Sequence, residues 1–472
     1  MTSMQWQALI PLLVLSGAGS LMLLMAAFWR QHYLVALTAG FASIVALMTL
    51  PAAAVSEPVV IAPLLVVDRL TVFFWALIAA ATLAAIALCY AYFQRLDEEP
   101  EEAYGLLLLS AAGAGVLAAS THFVSLFLGL ELLSVPLVIL VGYTHGREVS
   151  VEAALKYLVL AGFATTLLLF GIALLFGATG HLAFADLAIP VAVAAQVYWL
   201  GGLALVFTGL AFKLSLVPLH FWTPDVYQGA PTPVTAFLST VSKGAALMVL
   251  LRLSQSLNLP LGSAVWNALL GVTAASILAG NWLALRQDNL KRLLAYSSIA
   301  HMGYALAGLL AGGDLARETV GFYLAFYFAT TLGAFGVLVL LSGPEDEVEQ
   351  RQALRGLFWR RPWPALVLTL MLLSLAGVPL TGGFIGKFYV LTAGAQAQLW
   401  ALMGVVIIGS AIGLFYYLRV ILTLLASDQA ASATGSAPSR AVATTVLLVL
   451  SVMVIWLGLA PAEVIARLAG SS

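Results

Sequence analysis

The chain has 472 residues, 62% of them hydrophobic and 9% charged, whereas an ordinary soluble domain is about 25% charged; a soluble globular protein is excluded. A net charge of −1, with no basic cluster larger than Arg360-Arg361, excludes nucleic acid as a partner. The single cysteine, Cys89, can form no internal disulfide and cannot hold an iron–sulfur cluster, which takes about four such ligands; it is read as a small packing residue.

Runs of roughly 20 apolar residues, each enough to cross the hydrocarbon core as a helix, recur along the whole length. In chain order they fall at 5–28, 33–52, 68–91, 104–119, 121–142, 153–178, 195–219, 232–254, 263–284, 292–311, 318–341, 363–394, 400–425 and 441–466. The sequence thus predicts an all-α polytopic membrane protein of about fourteen helices, a single transmembrane domain over 1–472 surrounded by the lipid bilayer. The first run follows an uncharged N-terminus and lacks the basic start of a secretory signal, so it is a retained helix.

With the N-terminus outside, the inner loops collect Arg30, Arg95, Arg147, Arg286, Lys291, Arg292, Arg351, Arg355, Arg360, Arg361 and Arg440. The outer side collects only Arg69, Arg252, Arg317 and Arg467. That asymmetry is what the positive-inside rule asks of an even number of helices with both termini outside. Two connections are longer than the rest. Residues 343–364 are charged and predict a short surface helix, and 427–439 have the composition of a flexible linker.

Some signals of chemistry dissolve in context. GAGVLA (113–118) fits a dinucleotide fingerprint, but it lies inside an apolar helix with no preceding strand, where small residues serve close packing. The acidic run DEEPEE (97–102) is read as a solvated loop, and no His/Cys/Asp/Glu spacing resembles a metal site.

Of five lysines, Lys156, Lys213, Lys243 and Lys387 fall within predicted helices, and Glu131 is a carboxylate of similar depth. An ionisable group at the bilayer centre costs at least ~2.5–3.5 kcal/mol, so such residues face a protein interior or a hydrated path. Pairing would make the set tolerable. Burial disfavours the charged form of lysines and carboxylates alike, which is the condition for taking up and releasing protons near neutrality. Structural readings stand beside this one. Lys156 can snorkel past Glu152 to the interface; the deeper lysines and Glu131 can form ion pairs for assembly alone. His301 can be hydrogen-bonding glue or a relay. For His220 and Asp225 loop structure is the expectation.

Two helices should be broken. Pro218 follows Lys213 closely, and Gly377, Pro379, Gly382, Gly383 and Gly386 precede Lys387. The shared wording LSLVPL (214–219) and LSLAGVPL (373–380), five helices apart, points to an inverted repeat, and such repeats with broken helices and mid-membrane charges mark transporters.

GLELLSVPL around Glu131, EAALKYLVLAGFATTLLLFGIALLFGATG (152–180), LVPLHFWTPDVYQGAPTPVTAFLSTVSKGA (216–245), KRLLAYSSIAHMGYALAGL (291–309) and GGFIGK before Lys387 together resemble the antiporter-like membrane subunits of proton-pumping NADH:quinone oxidoreductase, respiratory complex I. The resemblance covers essentially the whole chain and lies nearest the N-type subunits, because M-type subunits carry a glutamate where Lys387 stands and L-type subunits are longer. It implies two inverted five-helix repeats, about 104–256 and 263–425, with broken helices 7 and 12. By position, Glu131, Lys213, Lys243 and Lys387 become the proton-transfer residues, with Lys156 and His301 as secondary candidates. It also implies that this chain holds no cofactor. NADH, FMN, iron–sulfur clusters and quinone would belong to partner subunits, other membrane subunits of the complex would be its neighbours, and the site would be a bacterial inner membrane with both termini periplasmic. A subunit of a multi-subunit Na⁺/H⁺ antiporter or membrane-bound hydrogenase shares this fold and these lysines. A purely structural scaffold subunit is the third reading.

Overall fold

The computed structural model describes residues 2–28, 30–54, 58–96, 99–189, 191–257, 262–343, 347–427 and 438–469. Its elements are α1 (Ser3–Phe28), α2 (His32–Ala53), an antiparallel hairpin of β1 (Val59–Ile61) and β2 (Leu65–Val67), α3 (Arg69–Phe93), α4 (Glu101–Ala119), α5 (Phe123–Val141), α6 (Glu148–Thr179), α7 (Gln196–Leu214), α8 (Trp222–Gly229), α9 (Thr232–Phe237), α10 (Lys243–Leu257), α11 (Ala264–Ala284), α12 (Leu290–Leu310), α13 (Gly313–Leu341), α14 (Leu357–Arg360), α15 (Pro362–Ala376), α16 (Gly382–Gln396), α17 (Trp400–Leu425), α18 (Pro438–Leu459) and α19 (Ala462–Leu468). The hairpin, with Val59 opposite Val67, is the one sheet among the described residues, and nothing in the hydropathy pattern announced it.

Among the described residues 13 helices are long and apolar enough to cross a membrane, α9 and α10 counting as one. The α9–α10 rod, α12 and α13 are buried almost all round, while α1, α6, α11 and α18 keep apolar faces outward, as a lipid-facing belt requires. Lipid tails are as apolar as leucine, so close backbone approach holds such helices together. GAGVLA serves that purpose: a Cβ on Gly113 would lie 2.4 Å from the Leu133 nitrogen, so α4 and α5 cross there almost backbone to backbone. Asp68 caps α3 through the Thr71 amide and pairs with Arg252 at 2.9 Å, and Arg252 also donates to the Ala118 carbonyl. One arginine thus joins α3, α4 and α10.

The expected breaks are present, but their chemistry differs from the expectation. Proline does not end either helix; a left-handed residue does. Ser215 (φ 61°) follows α7 and Gly377 (φ 86°) follows α15. In both places the next amide reaches back to the helix: Leu216 N–H to the Ala211 carbonyl, and Val378 N–H to the Leu373 carbonyl. These are Schellman-type stops, and Pro218 and Pro379 then forbid resumption. Ser215 therefore corresponds to Gly377, so the shared letters of the two motifs do not align one to one. The segment expected at 363–394 is two 15-residue helices, α15 and α16, and the one expected at 195–219 stops at Leu214.

Other boundaries moved for identifiable reasons. The last segment ends at Leu459, and α19 restarts after Pro461. Ahead of α15, the described residues of the loop 343–364 form a 3-10 turn (Arg351–Leu354) and the single-turn α14 where a short surface helix is expected. Glu101 of the acidic run is buried as the first residue of α4, while Glu99 and Glu102 pair with Arg30. The predicted linker at 427–439 lies, apart from its ends, outside the described residues.

Candidate functional site

Lys213, Lys243 and Lys387 are all buried, and they share one type of seat. Lys213, in the last turn of α7, donates to Ser134 Oγ (2.7 Å) on α5 and to the Tyr157 hydroxyl (2.9 Å) on α6. Lys243 donates to Ser298 Oγ (2.7 Å) on α12. Lys387 donates to Ser410 Oγ (2.9 Å) on α17 and to the Ala376 carbonyl (2.8 Å). That carbonyl belongs to the end of α15, left without a helical partner by the break, where the helix dipole favours a cation. Each ammonium also stands over a tyrosine ring: Lys213 over Tyr157 (5.4 Å), Lys243 over Tyr227 (5.4 Å) and Lys387 over Tyr304 (5.2 Å). A serine hydroxyl and an aromatic face thus stabilise each cation, and none of the three pairs with a carboxylate of the described residues.

The backbone builds these seats locally. Gly377 leaves room for the Lys387 stem, since a Cβ there would lie 2.8 Å from Lys387 Cδ. Lys243 begins α10 directly after a π turn, Leu238–Ser242, a widened turn of the kind that recurs at functional positions. Trp222 closes the α7 break, its indole N–H on the Phe212 carbonyl (3.0 Å) and its ring against Tyr157.

Direct pairing of Glu131 with Lys213 does not occur. Glu131 is half-buried and accepts from Thr165 Oγ1 at 3.2 Å, while Ser134, one turn further along α5, takes the lysine. Beside Lys213 lies a cavity of about 10 Å³ lined by Ser134, Thr165 and Lys213 among others, close to the smallest volume that admits one water; Glu131 does not line it and adjoins it only through Thr165. Lys156 is a surface group, bonded to Glu152 (2.7 Å) and Asp225 (2.9 Å). Asp225 also pairs with Arg292 at 2.7 Å.

His301 sits three residues beyond Ser298 on α12. Its Nδ1 is 2.8 Å from the Tyr323 hydroxyl and its Nε2 is 3.3 Å from that of Tyr417, which also bonds Ser297. Tyr327 donates to Ser298 (2.7 Å) and its ring packs on His301, and His301 contacts the Tyr304 ring beneath Lys387. Hydroxyls and rings therefore run from Lys243 past His301 to Lys387. Sequence reasoning found the lysines and His301 but missed Ser134, Tyr157, Tyr227, Ser298, Tyr327, Tyr417 and Ser410; the polar letters of AYSSIAHMGY were the one available signal.

A second buried centre was missed altogether. Glu347, 4% exposed, accepts from Lys291 (2.7 Å), Thr232 (2.9 Å) and Tyr92 (2.5 Å), with Arg147 at 3.1 Å. Burial pushes its carboxyl up, but Lys291, Tyr92 and Arg147 together outweigh it and hold the group below the usual carboxylate range. A carboxyl depressed in the fold contributes stability that is fully present above its unfolded pKa, about 4.3, and is lost as pH falls through the folded value. Acidification below about pH 4 should therefore loosen this junction. Glu347→Gln should cost about 3 kcal/mol at neutral pH, because Lys291 is left buried and uncompensated, and the acid-dependent part should disappear. Thermal unfolding of the detergent-solubilised protein across pH measures both; a variant matching the parent at pH 7 contradicts the assignment.

Among the described residues no group of three His, Cys, Asp or Glu side chains is placed to hold a metal ion. A bundle of apolar helices, two of them broken beside buried lysines held by neutral partners, defines a transporter-like membrane protein. Residues 120–413 match the family described as NADH:quinone oxidoreductase/Mrp antiporter, TM, and the chain belongs to that family. It is 47% identical over 465 residues to NADH-quinone oxidoreductase subunit N of Chromohalobacter salexigens, covering 97% of each chain, and 47% identical over 425 residues to the same subunit of Ectopseudomonas mendocina, covering 88% of this chain and 86% of the relative. A chain of respiratory complex I from Thermus thermophilus with bound aureothin superposes with a TM-score of 0.83 at 33% identity, over 97% of this chain and 99% of that one. A chain of the Mrp complex from Dietzia sp. shares the fold, with a TM-score of 0.86 at 22% identity over 100% of this chain and 97% of that one.

Proposed function

We propose that this chain is the N-type, antiporter-like, proton-translocating membrane subunit of an NADH:quinone oxidoreductase. The name carried by relatives 47% identical over nearly the whole chain favours it over an Na⁺/H⁺ antiporter subunit, for which the shared family description and a likeness of fold at 22% identity speak, and over a hydrogenase subunit. NADH oxidation, FMN, iron–sulfur clusters and quinone chemistry then lie in partner subunits, and other membrane subunits of the complex adjoin this one. The membrane is a bacterial inner membrane with both termini periplasmic, a placement supported by the eleven-to-four distribution of basic residues between the two sides. The two Schellman-type stops support inverted repeats at about 104–256 and 263–425.

The observation that carries the reading is the triad of buried lysines without carboxylate partners. A structural ion pair would place a countercharge against each ammonium. Hydroxyls and ring faces instead hold a cation only modestly, so a charge arriving nearby can tip the balance between holding and releasing a proton. Glu131, bonded to Thr165 on the wall of the small cavity beside Lys213, is the candidate for that charge. Protons then pass along Glu131, Lys213, Lys243 and Lys387, with His301 and its tyrosines between the last two. Lys156, in its surface ion cluster, serves the approach to this line. The test is NADH-driven proton pumping in membrane vesicles carrying Lys213→Ala, with assembly followed on a native gel. Loss of pumping in assembled complex is expected; pumping at the parental rate overturns the reading.

A further inference from the structure

The helix α17 presents Phe415, Leu418, Arg419, Leu422 and Thr423 along one stripe, three and four residues apart, with Ala426 just past its end. Arg351 and Arg355, from the loop before α14, stand beside the upper end of that stripe. Together with Gln352 these residues line a cavity of about 860 Å³. Its lower wall is apolar, with Phe415 and Leu422 well exposed; its rim is basic. Arg351 and Arg419 both reach Asp288 Oδ1, at 2.9 and 3.0 Å. Among the described residues, three guanidiniums of the rim less that single carboxylate leave two positive charges uncompensated. Trp359, largely exposed and bonded through its indole to the Leu425 carbonyl, marks the level of the headgroups, where tryptophan collects.

From this geometry we infer that the cavity binds an anionic phospholipid. The phosphate lies against the arginine rim and the acyl chains run down Phe415, Leu418 and Leu422. Planar guanidiniums match phosphate oxygens in pairs, and basic pockets between helices at the membrane surface suit such headgroups. Charge complementarity selects an anionic headgroup over a zwitterionic one, and the apolar wall below the rim selects a lipid over a free anion. The inference depends on the chain lying in a membrane and is independent of its place in proton transfer.

The test uses the intact complex in mixed micelles with a photoactivatable phosphatidylglycerol carrying its reactive group in an acyl chain, compared with the phosphatidylcholine counterpart and mapped by peptide. Labelling of 415–426 should be at least about fivefold stronger with phosphatidylglycerol, the ratio for a single basic side chain at an anionic surface, since two guanidiniums of the rim are uncompensated. That comparison needs no variant. Arg355→Gln, an exposed position, should bring phosphatidylglycerol down toward the phosphatidylcholine level, and Arg355→Lys should retain most of the difference. Equal labelling by the two lipids overturns the inference, as does unchanged labelling in Arg355→Gln. So does labelling abolished by inorganic phosphate alone, which marks a free-anion site, or absent because another subunit covers 415–426.

Discussion

Replacing Lys243 with methionine is expected to lower NADH-driven proton pumping and NADH:quinone activity together by about a hundredfold or more, the lower end of the range for removing a group that transfers a proton, while the complex still assembles. Assembly should survive because the ammonium is buried at a solvation cost that methionine, of similar length, does not carry. Ser298 would lose one donor but keep the Tyr327 hydroxyl at 2.7 Å, so no buried oxygen is left bare. A further substitution separates charge from titration. Lys243→Arg keeps a cation that cannot be deprotonated; if proton release is the function, it should be as inactive as methionine, and if the charge only steadies α10 against α12, activity should return. Assembled Lys243→Met complex with parental pumping would remove Lys243 from the proton line.

Gly383→Ala is expected to damage the protein through sterics alone. A Cβ at this position would lie 1.7 Å from the Ser374 carbonyl oxygen and 2.6 Å from its carbon. Both are backbone atoms of α15, so no rotamer change relieves the clash, and the two halves of the broken helix must move apart. Overpacking of this kind costs about 1–3 kcal/mol when neighbours can shift, and more is expected against main chain. The movement would also break the Gly383 N–H bond to Ser374 Oγ (3.2 Å) and draw Lys387, one turn further along α16, from the Ala376 carbonyl. Less assembled complex on a native gel, a lower thermal midpoint and low activity in what remains should be seen together. A normal midpoint with normal activity would mean that α15 and α16 do not pack as described.

The parts of this architecture legible in the sequence follow from composition. Hydropathy located the spans, and the cost of charge in a membrane singled out Lys213, Lys243, Lys387 and Glu131 before any contact was known. What stayed hidden depends on three-dimensional direction. Pro218 and Pro379 announced the two interruptions, yet the stops are made by Ser215 and Gly377, and a serine at φ 61° has no signature in the letters. The expectation that carboxylates would neutralise the lysines failed because serine and tyrosine, inconspicuous in apolar helices, take that position. Glu347 was hidden for the converse reason: in a charged loop it looks solvated, and only the fold turns it inward onto Lys291.

The most direct measurement is vesicle acidification and NADH oxidation recorded together in Lys213→Ala and parent, normalised to assembled complex. If the buried lysines form one coupled proton line, both rates fall together, because electrons cannot pass while the first lysine's step is blocked. If assembled variant oxidises NADH at the parental rate and moves as many protons per NADH, Lys213 is a structural residue and the proposed line is contradicted.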